Sequence, residues 1–351
     1  MVFLDLEKAY DTVPREEIWR CLRLKGVPEP YVHLIQDMYY NCTTVVRSAA
    51  GVSSEFQVQV GLHQGSALST FLFIMMLDEM TRDLAREIPW TLLFADDGFL
   101  CEGNEVQLNI TMEDWRSCIE DRGLRANRKK TVCMACLFSE RENEWAIDIE
   151  IDMQRMEMVE SFRYLGSVVQ NDGELDQEIT ARIQSGWRNW RRCRGILCDR
   201  RMPLKLKSRI QRQVVRPAMV YGAETWASKM RQEARLEASE MRMLRWARGV
   251  TLKDRVRNEH IRGSFKIAPI SLKVKEARLR WYGHLRRREA QHPTRRMIDM
   301  EIPGRRQRGR PELRWMDCVQ RDMNCFNMND NMVLNRNEWK KRLKDHWSDP
   351  K

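Results

Sequence analysis

Long apolar runs are missing from this chain: nowhere do about 20 apolar residues follow one another, as a membrane-spanning helix requires. A basic leader is missing too. The sequence starts inside a strand pattern with acids at Asp5 and Glu7, so no signal peptide is expected and the chain reads as intracellular. Nucleus and cytoplasm stay equally open, because arginine runs serve import and binding alike. Cysteine is not scarce, at ten residues, but its spacing completes nothing. Cys133-Met134-Ala135-Cys136 has the CxxC form without a second CxxC or a close histidine pair after it, and neither Cys193 with Cys198 nor Cys318 with Cys325 supplies one. Structural zinc is therefore disfavoured, and reduced, mostly buried thiols are expected. No internal repeat is evident, and no glycine loop has Walker or Rossmann spacing.

What is present is length, a core and positive charge. The 351 residues suffice for about two domains, and 42% hydrophobic content can bury a core. Lys and Arg number 61 against 50 Asp and Glu, for a net charge of +11 and a pI near 9.3. That excess favours a polyanionic partner, nucleic acid first. A merely soluble basic protein is the plain alternative.

The stretch Leu92-Leu93-Phe94-Ala95-Asp96-Asp97, resumed by Phe99 and Leu100, predicts two short strands with adjacent acids at the turn between them. Val2-Phe3-Leu4-Asp5 predicts another strand ending in an acid. Adjacent carboxylates repel, and burying them without a cation is costly. Brought together, such acids make a hard-oxygen site suited to Mg2+, and one such site can hold two ions for in-line phosphoryl transfer. Taken alone, the Asp96-Asp97 pair also fits a solvated surface turn.

Taken in order, Asp11 or Thr12 with Pro14 predicts a helix start, and Gly26 before Pro28 its end. A helical repeat through Tyr31, Leu34, Ile35 and Met38 follows, then a hairpin from residues 43–46 to 56–60 closed through Gly51. Small residues around Gln64, Gly65 and Ser66 precede a very apolar helix over 71–80, which reads as core. An amphipathic helix through Leu108, Met112, Trp115 and Ile119 ends near Gly123 and leads into basic Arg125, Arg128, Lys129 and Lys130. Strands are expected over 131–134, 145–151 and 162–166, giving an α+β domain. Beyond Asp172 the character changes. Ile179, Ile183, Trp187 and Trp190 share a helical face, with Arg182, Arg188, Arg191 and Arg192 around it. A further helix is expected to run until Pro217, and another carries Arg235, Arg242 and Arg245. These arginines read together as a phosphate track, with a solvated face as the alternative for any one of them. The last quarter reads as partly irregular, with Arg286, Arg287, Arg288 and Arg305, Arg306, Arg308, Arg310 near Trp281, Tyr282 and Trp315. Arginine among aromatics suits single-stranded nucleic acid.

The ordered set Phe3-Leu4-Asp5-Leu6-Glu7-Lys8-Ala9-Tyr10-Asp11, Gly61-Leu62-His63-Gln64-Gly65-Ser66-Ala67-Leu68-Ser69, Phe94-Ala95-Asp96-Asp97, Gly123-Leu124 with Lys130-Thr131, and Tyr164-Leu165-Gly166 resembles the reverse transcriptase of non-LTR (LINE-like) retrotransposons. The downstream half looks most like the RTE-type branch. The resemblance implies a polymerase palm, an antiparallel sheet covered by helices, over 1–172. It further implies a helical thumb-like region over 173–250 and a basic C-terminal region over 251–351. It implies Asp5, Asp96 and Asp97 as ligands of two Mg2+ ions, with Mn2+ as a substitute. Tyr10 is implied as a steric gate, with Gln64, Gly65 and Ala95 lining the nucleotide. Lys130 is implied as a proton donor near its phosphates, and Tyr164, Leu165 and Gly166 as the grip on the primer. RNA template, DNA primer and dNTPs are the implied partners. Family members begin well upstream of the first catalytic strand, so a fingers region and an endonuclease are expected to be absent; whether a separate chain supplies the fingers stays open. Thr70 and Gly98 depart from the family's usual Pro and apolar residue, and Gly98 is expected to loosen the carboxylates. The resulting expectation is an RNA-directed DNA polymerase fragment. Its alternative is a non-catalytic nucleic-acid-binding remnant.

Overall fold

A computed structural model describes residues 1–87, 90–136, 149–151, 154–300 and 313–347. The chain divides into two compact units, Met1–Leu165 and Gly166–Lys351.

The first unit is built on a five-stranded sheet of β1 (Val2–Asp5), β2 (Thr91–Phe94), β3 (Asp97–Leu100), β4 (Val132–Cys133) and β5 (Glu157–Met158), in the order β5-β4-β1-β3-β2. Every pairing is antiparallel except β4 with β5. β1 lies inside the sheet, and its side chains alternate between two faces as the pleat requires. Val2 and Leu4 enter the main core, whereas Phe3 joins a smaller cluster with Val132, Met134, Phe99, Phe162 and Tyr164. The main core is covered by α1 (Arg15–Leu24), α2 (Glu29–Tyr39), α3 (Ala67–Met80) and α4 (Glu105–Glu120). On α3, Ser69, Leu72, Phe73, Met76, Leu77 and Met80 are buried at helical spacing, while Phe71 and Ile74 face outward. The helix reading at residues 71–80 therefore holds for one face, and the helix starts earlier, at Ala67.

Local signals account for most boundaries. Gly26 and Gly123 follow α1 and α4 with φ of 74° and 87°, a conformation glycine adopts without steric cost. The hairpin closes as expected, Thr43–Thr44 pairing with Phe56–Gln57 and Arg47–Ser48 with Gly51–Val52. The start of α1 differs: Pro14 is its N-cap, no side chain caps it, and Asp11 and Thr12 belong to a separate helical turn, Ala9–Thr12. The expected strand at 145–151 falls mostly outside the described residues. Its described end, Glu150–Ile151, pairs with Gln154–Arg155.

The second unit is mainly helical, with α5 (Asp176–Arg192), α6 (Met230–Arg248), α7 (Ile270–Arg286), α8 (Trp315–Cys325) and α9 (Arg336–Trp347) as its longest described helices. One core gathers Ile179, Trp190, Met219, Trp226, Leu236, Met243, Phe265 and Val274; another gathers Leu279, Tyr282, Val319, Met323, Val333, Trp339 and Leu343. Three expectations need correction. Pro217 does not end its helix: Leu204–Ile210 runs through a π-turn, Gln211–Val215, into Arg216–Met219. The wider turn gives the Pro217 ring the room it needs and lets the helix pass a residue with no N–H to donate. The last quarter is mostly helical where described, with turns between its helices, because apolar residues at helical spacing give it a core of its own. Finally, Tyr282 is buried against Asp330 and Trp315 donates its indole N–H to the Glu224 carbonyl at 2.8 Å, so both serve the core; Trp281 stacks on His284.

Candidate active site

Strand register brings the acids together. Asp5 on β1 stands opposite Asp97 on β3, one pleat beyond the Phe3–Phe99 pair on the same face. Phe94 pairs with Asp97, leaving Ala95 and Asp96 as the turn. Ala95 takes a φ of 54°, a left-handed conformation that costs a non-glycine residue about 1 kcal/mol or more. Strain of this kind gathers at sites where backbone position matters. Gly98 sits opposite Leu4, and a Cβ on it would lie 3.2 Å from the Leu4 Cβ. The glycine is thus a close-packing position beside the acids, where Leu4 fills the space a larger residue would take.

The electrostatics are those of crowded like charges. Burial, then Asp96 and Asp5, raise the Asp97 carboxyl above its usual range. The Asp5 Oδ2 is buried without a hydrogen-bond partner. Lys130 Nζ stands 3.6 Å from it, on a side chain that is 70% exposed. The segment before Lys130 is laid along the end of β1 by bonds from Asn127 N–H to the Asp5 carbonyl at 2.8 Å and from Glu7 N–H to the Arg125 carbonyl at 2.8 Å. Asp5 N–H in turn donates to Thr131 Oγ1 at 3.3 Å. Among the described residues, no three His, Cys, Asp or Glu side chains are disposed to hold a metal ion as they stand. The donor set nevertheless fits a hard divalent cation: its members are carboxylates, and one of their oxygens is buried with no hydrogen-bond partner.

Around these acids the other expected residues fall as follows. Tyr10 stacks on Phe73 with ring centroids 4.6 Å apart, which fixes its ring. Gln64 donates to Asp11 Oδ1 at 2.6 Å, and Gly65 has a φ of 88° with open space where a Cβ would be. Their loop is anchored at Gly61, whose N–H meets the Val13 carbonyl at 2.9 Å while Leu62 N–H meets that of Tyr10 at 2.7 Å. Tyr164 ends the strand Ser161–Tyr164, its ring 5.8 Å from Phe3 and 6.1 Å from Phe99, and burial with Asp97 raises its hydroxyl pKa. Leu165 and Gly166 follow with positive φ of 47° and 85°. Asp11 and Thr131 were not singled out as functional residues. Asp11 was visible only as part of a motif, and Thr131 bears on the acids only across strands.

In the second unit, Arg188, Arg191 and Arg192 are exposed on the last turns of α5. Arg182, expected beside them, is buried: its Nε donates to Glu178 Oε1 at 2.7 Å, and it also meets the Gly166 carbonyl. Arg245 is likewise buried, donating to the Val256 carbonyl at 2.9 Å. Arg235 pairs with Asp176. Arg286 and Arg287 are half-buried, Arg286 lying 3.5 Å from Asp299 and Arg287 donating to the Val333 carbonyl at 2.9 Å, while Arg288 is exposed. Arg305, Arg306, Arg308 and Arg310 lie outside the described residues.

Residues 1–169 match the family "Reverse transcriptase (RNA-dependent DNA polymerase)". The chain is similar to the retrovirus-related Pol polyprotein of the type-1 retrotransposable element R2 of Popillia japonica, 28% identical over 64% of this chain and 33% of that protein. The corresponding R2DM polyprotein of Drosophila melanogaster is 29% identical over 36% of this chain and 13% of its own length. A transposon-derived protein of Caenorhabditis elegans is 22% identical over 71% of this chain and 92% of that one. The chain thus spans a third or less of the length of the two R2 polyproteins. No described helix is long and apolar enough to cross a membrane.

Proposed function

Because residues 1–169 make this chain a member of the reverse transcriptase family, of the non-LTR retrotransposon kind, we propose that it performs RNA-directed DNA synthesis at Asp5, Asp96 and Asp97. The observation that carries this reading is the register pairing of Asp5 with Asp97, with a buried Asp5 oxygen that has no hydrogen-bond partner beside it. The three acids would hold divalent metal, as two Mg2+ ions or Mn2+ in their place. Bound metal supplies Lewis-acid activation of a primer 3′-OH and neutralises charge on the departing pyrophosphate. The chain's own residues do the rest. Tyr10, backed by Phe73, walls the ribose side of an incoming dNTP, and Gln64, held by Asp11, lines it with Gly65 and Ala95. Lys130, poised beside Asp5, donates the proton that the leaving phosphate takes up. Tyr164, Leu165 and Gly166 grip the primer end, close enough to the acids for Asp97 to perturb Tyr164.

On this reading residues 1–172 are the palm, 173–250 a thumb-like region and 251–351 a basic C-terminal region. RNA template and DNA primer are the polymer partners. The RTE-type assignment of the downstream half belongs to the same proposal. A second reading, a nucleic-acid-binding remnant without catalysis, is favoured by exposed Arg188, Arg191 and Arg192, whose charge serves phosphates whether or not the acids work.

The test is primer extension by the purified chain on an RNA template with an annealed DNA primer, in Mg2+ and in Mn2+. Extension that disappears in Asp96→Asn and Asp97→Asn is the expected result. Extension that persists in both refutes the site. No extension from the wild type, with template–primer still bound in a salt-sensitive way, selects the second reading.

A further inference from the structure

In the second unit, Trp187 and Trp190 of α5 and Trp246 of α6 meet edge to face, with centroids 5.5 Å, 5.8 Å and 5.6 Å apart. With Arg191, Arg194 and Arg242 they line a cavity of about 380 Å³. Trp190 is fully buried, and its indole N–H has no acceptor. Trp246 is 56% exposed, an unusual state for the largest aromatic side chain. The Arg242 guanidinium lies over the Trp187 ring, 5.8 Å from its centroid. Arg191, Arg194 and Arg242 are all exposed, and none forms an ion pair among the described residues. That separates them from Arg182, Arg216, Arg235 and Arg278 of the same unit, each of which meets a carboxylate.

Two properties of this cavity select its ligand. Three unpaired guanidinium groups repel cations, so a quaternary-ammonium cage is excluded and an anion is favoured. Exposed indole beside them favours a ligand with a flat π-face, which stacks on tryptophan and on arginine alike. A nucleic-acid strand offers both, but a duplex hides its base faces in the helical stack. We propose that this cavity binds single-stranded nucleic acid, an unstacked base packing against Trp246 and the adjoining phosphates lying on Arg191, Arg194 and Arg242. The spacing of Arg242 and Trp246, four residues apart on one helix, puts cation and ring on the same face. This deepens the nucleic-acid reading given above and rests on it for the class of polymer, not on polymerisation.

The test uses the full chain and fluorescence anisotropy with labelled oligonucleotides: one single-stranded RNA, one single-stranded DNA of the same sequence, and the DNA duplex. Trp246→Ala is expected to weaken single-strand binding by about tenfold, within the range of one base–aromatic stack, and to leave duplex binding unchanged. Trp246→Phe should restore most of the loss. A loss on either single strand upholds the site, and the strand affected identifies the sugar it prefers. The triple variant Arg191→Ala, Arg194→Ala, Arg242→Ala should flatten the logarithmic salt dependence for single strands by about 2. The proposal is overturned if Trp246→Ala binds single strands as the wild type does, or loses single strand and duplex by the same factor. Should Trp246→Ala melt early, the triple variant decides, and an unchanged salt slope overturns the site. Primer extension on the same preparation keeps the two readings apart: a chain that cannot extend but binds single strands through Trp246 ends the polymerase reading and leaves this one standing.

Discussion

In the first unit Asp5, Asp96 and Asp97 crowd one end of a sheet with Lys130 beside Asp5, whereas in the second unit Glu178, Glu233, Glu240 and Asp322 are buried and each stands near an arginine. The Arg216–Glu240 pair is bidentate, at 2.6 Å and 3.0 Å, with both side chains almost wholly out of water. Arg278 and Asp322 are still more enclosed, and Arg278 also donates to the Trp226 carbonyl at 3.1 Å. The same ionisable groups thus serve two ends. Where each buried carboxylate faces an arginine, the group belongs to the core, even though Asp322 Oδ1 is buried without a hydrogen-bond partner. Where carboxylates face one another, the fold carries an unfavourable arrangement that a bound cation relieves.

Removing an acid from the crowded site should cut activity most. Asp96→Asn or Asp97→Asn is expected to lower primer extension by about a thousandfold or more, as for residues that act as one catalytic unit. Template–primer affinity should stay equal or rise, since negative charge is removed. In the second unit, Glu240→Ala leaves Arg216 buried without its carboxylate and should cost about 3–5 kcal/mol, read from the urea midpoint. A cost below about 1 kcal/mol would mean that water reaches the pair and that it is a surface contact in effect.

Glycines sharpen the contrast at the backbone. A Cβ on Gly61, at φ +80°, would lie 2.6 Å from the Asp11 carbonyl oxygen and 2.9 Å from that of Tyr10. Gly61→Ala should therefore destabilise the first unit by about 2 kcal/mol or more and displace the Gln64 loop. Gly263, in the helix Asn258–Phe265, has open space around its Cβ position, and Gly263→Ala should stabilise by about 0.5–1 kcal/mol. Denaturant melts of the two variants should move in opposite directions.

The smallest effect is the most diagnostic. Burial, Asp96 and Asp5 raise the Asp97 carboxyl in the folded chain, so the unfolded chain gives up this proton first as pH rises. The stability tied to its proton is complete below the ordinary value of 3.8 and is lost as pH rises through the higher folded value. In metal-free buffer at pH 7, Asp97→Asn should consequently raise Tm slightly, with the gain vanishing below about pH 3.8. Mg2+ should raise the wild-type Tm and leave that of Asp97→Asn unmoved. A lower Tm for Asp97→Asn without metal would show that the acids are not strained against one another.

What the sequence determined by itself was everything carried by near neighbours. Apolar runs interrupted by Asp96 and Asp97 dictated strand, turn and strand, and helical periodicity located α4 and α5. The Glu178–Arg182 pair was also within reach, being four residues apart on one helix. Tertiary structure decided the rest, because whether a charge is paired depends on what lies across from it. Nothing near Arg216 in the chain announces Glu240, and nothing near Arg245 announces the Val256 carbonyl, so their charge alone could not separate them from exposed Arg188 and Arg191. Nothing near Gly98 in the chain announces Leu4, which register places opposite it within close-packing distance. That Trp246 stands half in water beside three arginines without ion pairs emerges only once α5 and α6 come together. Periodicity is a local property that a linear sequence displays directly, whereas burial and partnership are relations between distant residues that exist only once the chain has folded.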